Sequence, residues 1–186
     1  KQYLAKKYNK PGGVFLGVVH RLDRPTSGVI VFARTSKALP RLNTSFAERE
    51  TEKTYWAVVK NHPPKEHDSL THFLKRNPKQ NKSYANSKEV SDSKKAILHY
   101  RVFKKLQRYF ALEIDLETGR HHQIRSQLSA INCPIKGDLK YGFDRSNPDG
   151  SIHLHARKIS FTHPVKKEEI ALFAPPPDDI LWKNCL

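Results

Sequence analysis

The chain has no methionine, not even at position 1, and only two cysteines, Cys133 and Cys185. A missing initiator is what an excised or processed fragment would show. Two cysteines cannot build a disulfide framework, and their spacing offers no thiolate metal site, so a reducing cytoplasm is the expected compartment. No apolar run reaches the roughly 18–20 residues that a membrane-crossing helix needs, and the Lys-rich start, Lys1 to Lys10, is not followed by a signal-peptide core. Export and helical membrane insertion are therefore not expected.

Acidic side chains are the other scarcity. Eighteen Asp and Glu stand against 34 Lys and Arg, a formal net charge of +16. Such a field attracts polyanions at moderate salt and makes nucleic acid the leading expected partner. The competing reading is a merely soluble basic surface, and charge alone does not separate RNA from DNA. What is present suffices for a core. At 186 residues the chain fits one domain, and 37% hydrophobic with 10% aromatic residues excludes a wholly disordered reading. A monomer is expected.

Residues 1–13 read as a basic N-terminal segment, punctuated by Gly12-Gly13 before the apolar run Val14 to Val19, and the domain itself as 14–186. Gly28 precedes Val29 to Ala33, a short run that reads as a buried strand and leaves Asp23 in the loop before it. Ser36 reads as the N-cap of an amphipathic helix in which Leu39, Leu42 and Phe46 recur through Glu48; Pro40 is tolerable there only because it falls in the first turn. Lys53 to Val59 has the aromatic and β-branched density of a strand, ended by the turn cluster Asn61 to Pro64. The polar stretch Lys75 to Lys94 suggests an exposed hairpin or insertion.

Ala96 to Phe103 and Tyr109 to Leu116 read as neighbouring antiparallel strands, the second with Phe110, Leu112, Ile114 and Leu116 in strict alternation. After Thr118-Gly119, Ile124, Leu128 and Ile131 share a helical face that Asn132-Cys133-Pro134 ends. Two more β-like runs follow, Ile152 to Phe161 and Glu169 to Phe173, before Pro175-Pro176-Pro177 prevents regular pairing. Many strands with two helices argue for an α+β domain on a mostly antiparallel sheet.

One run is more particular: His20-Arg21-Leu22-Asp23-Arg24-Pro25-Thr26-Ser27-Gly28 packs charge where a strand pair expects a simple turn. Further along come Lys53-Thr54-Tyr55, Gly119-Arg120-His121-His122-Gln123-Ile124-Arg125, Gly137-Asp138 with Tyr141-Gly142, and a closing Leu154-His155-Ala156 with Phe161 to Pro164. In that order, over roughly residues 14–176, these resemble the RluA family of RNA pseudouridine synthases. Two departures stand out. His121 occupies a position where that family usually has Thr, and the family's early Lys-Pro strand is absent before Lys1.

The resemblance implies the family's catalytic-domain fold over 14–186, an α+β domain with flanking helices, and the isomerisation of a uridine in ribosomal or transfer RNA. It implies Asp23 as nucleophile, Arg125 as the cation paired with it, and Tyr55 as a ring that stacks on uracil and a hydroxyl that relays the C5 proton. A carboxylate suits the first role, being ionised at neutral pH and able to capture an electron-poor sugar carbon. Arg21 is implied near the flipped nucleotide, where extraction of a base costs a few kcal/mol. Arg24, His20, Arg120 and His122 are implied as RNA-side residues, the two histidines as loop organisers. No cofactor is consumed.

Ten histidines also raise the question of a metal. His121 and His122, read as adjacent on a helix, diverge by about 100°. His153 and His155 would face one way on a strand, but no carboxylate or thiolate cluster accompanies them closely in sequence. No metal is expected. Two other functional classes compete. A non-catalytic RNA-binding or chaperone module on the same scaffold would be expected to lack Asp23, and a two-carboxylate glycosidase using Asp115, Glu117 or Asp138 fits a charge of +16 poorly.

Overall fold

The structure, a computed structural model, describes residues 1–48 and 50–186. The chain opens on a short helix, α1 (Gln2–Lys7), none of whose residues is buried. Three two-residue strands follow, β1 (Gly17–Val18), β2 (Ser27–Gly28) and β3 (Phe32–Ala33), and then helix α2 (Ala38–Ala47). Strands β4 (Glu52–Val59), β5 (His67–Asn77), β6 (Lys82–Asn86), β7 (Ser93–Lys105) and β8 (Phe110–Leu116) lead to helix α3 (Gln123–Ala130). Strands β9 (Leu154–Thr162) and β10 (Glu169–Phe173) and the one-turn helix α4 (Ile180–Lys183) complete the chain.

Among the described residues, eight strands form one sheet in the order β10-β9-β4-β8-β7-β5-β6, with β2 alongside β9. All its pairings are antiparallel except β2 with β9. This is the expected α+β architecture on a mostly antiparallel sheet. The alternation in β8 does what period 2 dictates. Leu112 and Ile114 go to one face, under Ile124 and Leu128 of α3, while Ala111 goes to the other, beside Trp182 and Cys185. Leu42 of α2 packs with Ala33, Ile159 and Phe161 at the β9 end.

Three local expectations are corrected. Val29 to Ala33 is not one buried strand: Ser27–Gly28 pairs with β9, and the chain then leaves to pair Phe32–Ala33 with Gly17–Val18, exposing Ile30 and Phe32. Ser36 does not cap α2. Lys37 occupies the N-cap position without a side-chain bond, and the Thr35 hydroxyl accepts the Ala38 N–H at 3.1 Å. The polar stretch from Lys75 is indeed a hairpin, but its first strand begins at His67, where alternation of Leu70 and Leu74 with polar residues is too sparse to read as β.

The departure at Gly28 has a physical cause. Its φ of +126° lies in the region that side chains avoid, and a Cβ there would stand 2.3 Å from the Ala156 carbonyl oxygen. The Ser27 hydroxyl reaches His155 Nδ1 at 2.9 Å, and Val29 N–H donates to the Ala156 carbonyl at 2.9 Å. Backbone contact with β9 thus pins the end of the Asp23 loop. Gly28→Ala is expected to destabilise the domain by at least about 1–3 kcal/mol, checked by urea unfolding; wild-type stability in that variant would show that the close approach is not required.

Candidate active site

Asp23 sits in the bend between β1 and β2, closed by Thr26 N–H donating to the Asp23 carbonyl at 2.8 Å and braced by Ile152 N–H on the Pro25 carbonyl at 3.0 Å. Tyr55 comes from β4 and Arg125 from the first turn of α3. All three line one cleft of about 670 Å³. Arg21, Arg24, His20, Arg120 and His122 line it as well, so the structure brings together every residue singled out from the sequence.

Arg125 is 5% exposed, which makes its partners decisive. Its Nε and Nη2 donate to Asp138 at 2.7 and 2.8 Å, a two-pronged grip on a carboxylate that is itself 1% exposed. Nη1 donates to Asp23 Oδ2 at 3.3 Å. The resemblance pairs Arg125 with Asp23 alone; the tighter partner is Asp138. A buried guanidinium needs a buried carboxylate, which is a signal for such a partner, but nothing in the spacing selects Asp138 from the other acids. Asp23 keeps 29% of its side chain open, and among the described residues its Oδ1 accepts no hydrogen bond. One oxygen is held and the other faces the cleft.

His122 stands beside this pair in left-handed backbone, φ 51°. Its Nε2 lies 3.2 Å from Arg125 Nη1, which can only donate, so Nε2 accepts and Nδ1–H donates to the Tyr141 hydroxyl at 2.9 Å. That hydroxyl also accepts Ser83 N–H at 2.8 Å, and the Tyr141 ring lies 5.0 Å from the Arg125 guanidinium. Burial first, then Arg125, lowers the His122 pKa to about 4, against an opposing pull from Asp23. The ring is neutral at pH 7. His121 and His122 do not diverge: both precede α3, and their rings stack at 3.8 Å. Ser83 and Asn81, from the β5–β6 hairpin, hold His121 at 2.9 and 3.1 Å.

Tyr55 has its pKa raised to about 12, by burial and then by the charge of Asp23, so its phenol stays protonated. His20 accepts Val31 N–H at Nε2 (3.0 Å) and stacks on Phe46; burial, with help from Lys53, lowers its pKa to about 4. Arg21 and Arg24 stand at the rim, both exposed. Arg120 is anchored through Nε to the Lys95 carbonyl at 3.1 Å. Lys53 and Arg76 also line the cleft; Lys53 opens the Lys53-Thr54-Tyr55 motif but is not among the residues that the resemblance assigns to the site, and no motif marks Arg76. With Arg21, Arg24, Arg120 and Arg125 they make six cations around the single carboxylate Asp23. His153 and His155 lie elsewhere, bonded to Asn147 and Asp179 and to Ser27 and Ala174.

A family described as RNA pseudouridylate synthase matches residues 1–130. A Xylella fastidiosa protein named ribosomal large subunit pseudouridine synthase D is 35% identical over 178 residues, covering 88% of this chain and 52% of that protein. A Chloroflexus aurantiacus protein named as an uncharacterized RNA pseudouridine synthase is 38% identical over 165 residues, covering 88% and 51%. The chain thus spans about half the length of these relatives. Among solved structures, human RNA pseudouridylate synthase domain containing 1 superposes with a TM-score of 0.76 at 24% identity, over all of this chain and 78% of that one.

The two neutral histidines carry a pH dependence. Unfolded, His20 and His122 take up protons near the ordinary value of 6.5; folded, only near 4. Across that window the unfolded chain binds more protons, so stability falls as pH falls. The melting temperature is expected to drop between about pH 7 and about pH 5. His20→Gln, which can still accept Val31 N–H, should flatten the decline. Equal slopes in the two proteins would mean that His20 is not held neutral.

Proposed function

The chain belongs to the RNA pseudouridylate synthase family, and from that premise we propose that it isomerises a uridine of ribosomal or transfer RNA to pseudouridine with Asp23 as nucleophile. The observation that carries this reading is the state of Asp23: Oδ2 is held by a locked guanidinium, while Oδ1 is open to a cleft rimmed by cations. A free carboxylate oxygen in a site built for a polyanion is useful to a reaction that leaves an electron-poor sugar carbon.

In this reading the N1–C1′ bond of the target breaks, and Asp23 captures or stabilises C1′. The uracil turns, C5 bonds to C1′, and the hydrogen lost from C5 is balanced by the one gained at N1. Nothing external is consumed. Tyr55, as a neutral phenol, stacks on the base; it can pass the C5 proton only in concert, giving up its own proton as it takes another. Arg125 and Asp138 fix the carboxylate. Arg21, Arg24 and Arg120 take phosphates or fill the gap left by the extracted base. With Cys133 and Cys185 both free, we assign the activity to a reducing cytoplasm.

The test is release of tritium from C5-labelled uridine in RNA. Wild-type protein is expected to release it; Asp23→Asn is expected to abolish release while RNA affinity is preserved, as measured by filter binding. Release by the variant at the wild-type rate would remove Asp23 from the chemistry. Comparison of pseudouridine maps with and without the gene would name the RNA.

A further inference from the structure

A second chamber of about 470 Å³ opens off the Asp23 cleft and shares His20, Lys53, Leu116, Gly119 and Arg120 with it. Lys53 stands at the junction. Its ammonium is half-buried, and burial lowers its pKa. Among the described residues it has no carboxylate partner and no hydrogen-bond acceptor; Glu117, the carboxylate that lines the chamber, lies 2.6 Å from His99, and the neighbouring Glu52 3.8 Å from Lys158. The Phe46 ring, 4.6 Å from the ammonium, offsets part of the desolvation.

A partly desolvated, unpaired cation costs free energy in the unliganded protein, and an arriving anion removes that cost. Arg120 lines the same junction. Its Nε is committed to Lys95, but among the described residues its two terminal nitrogens have no acceptor. Two cations with unused donors therefore converge where the chamber leaves the cleft. The chamber's volume falls within the range of small-ligand sites, about 300–1,000 Å³.

We propose that this chamber is a phosphodiester subsite in which Lys53 and Arg120 grip the backbone phosphate of a nucleotide adjoining the target, setting the register of the strand against Asp23. The assignment rests on the RNA-directed reading above. It gives Lys53 a binding role and leaves the bond chemistry with Asp23.

The test measures binding of a short single-stranded oligouridylate across a salt series, with melting temperatures recorded in parallel. Lys53→Gln is expected to lower the slope of log affinity against log salt by about 0.7 and to weaken binding about fivefold near 0.1 M salt, the effect of one lost phosphate contact. Lys53→Arg should keep the slope, and Arg120→Gln should lower it as Lys53→Gln does. Because an unpaired buried charge is removed, Lys53→Gln should melt at or above the wild-type temperature. A structural prop would instead lower the melting temperature and leave the slope alone. That result, or an unchanged slope in both Gln variants, overturns the subsite. Tritium release by wild-type protein is assayed separately: its absence strikes the enzymatic reading, whereas release with unchanged slopes strikes only the subsite.

Discussion

The guanidinium of Arg125 is divided between two carboxylates, and the site's geometry follows from how unequally. Asp138 takes two short bonds in full burial, whereas Asp23 takes one longer bond at the cleft surface. A buried charge without its partner costs several kcal/mol, so the Arg125–Asp138 pair cannot relax independently of the fold. Asp23 is then oriented by a cation that cannot follow it. The asymmetry keeps one carboxylate oxygen fixed and one free, which an equal sharing of the guanidinium would not do.

Each partner of this fork is delivered by a different piece of chain, and each delivery has its own backbone device. The left-handed His122 starts α3 so that Arg125 points inward from its first turn. Asp138 enters from the loop after α3, where Phe143 N–H closes back on its carbonyl at 3.0 Å. Asp23 rides a turn whose exit is pinned to β9 by the close approach at Gly28. The β5–β6 hairpin joins the same structure through Ser83, which bonds Tyr141 by its backbone and His121 by its side chain. A continuous chain of hydrogen bonds thus runs from the hairpin through Tyr141 and His122 to Arg125 and Asp23.

Much of this is legible in the sequence. Strict alternation marks β8, three- and four-residue apolar steps mark both longer helices, and ordered short motifs gather eight residues that the fold does place in one cleft. The limits are equally particular. Residues 29–33 have the composition of one strand, but the strand is interrupted by a contact with Ala156, more than a hundred residues away, which local propensity does not encode. The segment carrying His121 and His122 runs directly into an apolar helical period, which suggests a helix at both residues, whereas the helix begins just after them. Asp138 is visible as a motif residue, yet its bond to Arg125 depends on a loop fold that sequence spacing does not specify.

Burial sorts the cations of the cleft into different tasks. Arg125, almost fully enclosed, must be paired by protein and so serves to position. Arg21, exposed at the rim, keeps its hydration and can meet a phosphate at little desolvation cost, which suits capture and steering. Lys53 falls between these extremes, dry enough to lose proton affinity and yet unpaired among the described residues. A histidine in the same wall must be neutral to persist, and burial holds both His20 and His122 in that state. Were they protonated at neutral pH, two more charges would crowd Lys53 and Arg125, with Asp138 already committed to Arg125 and only Asp23 open in the cleft to balance them. The neutral rings therefore let a strongly cationic cleft stay folded around a single open carboxylate while its remaining positive charge faces outward.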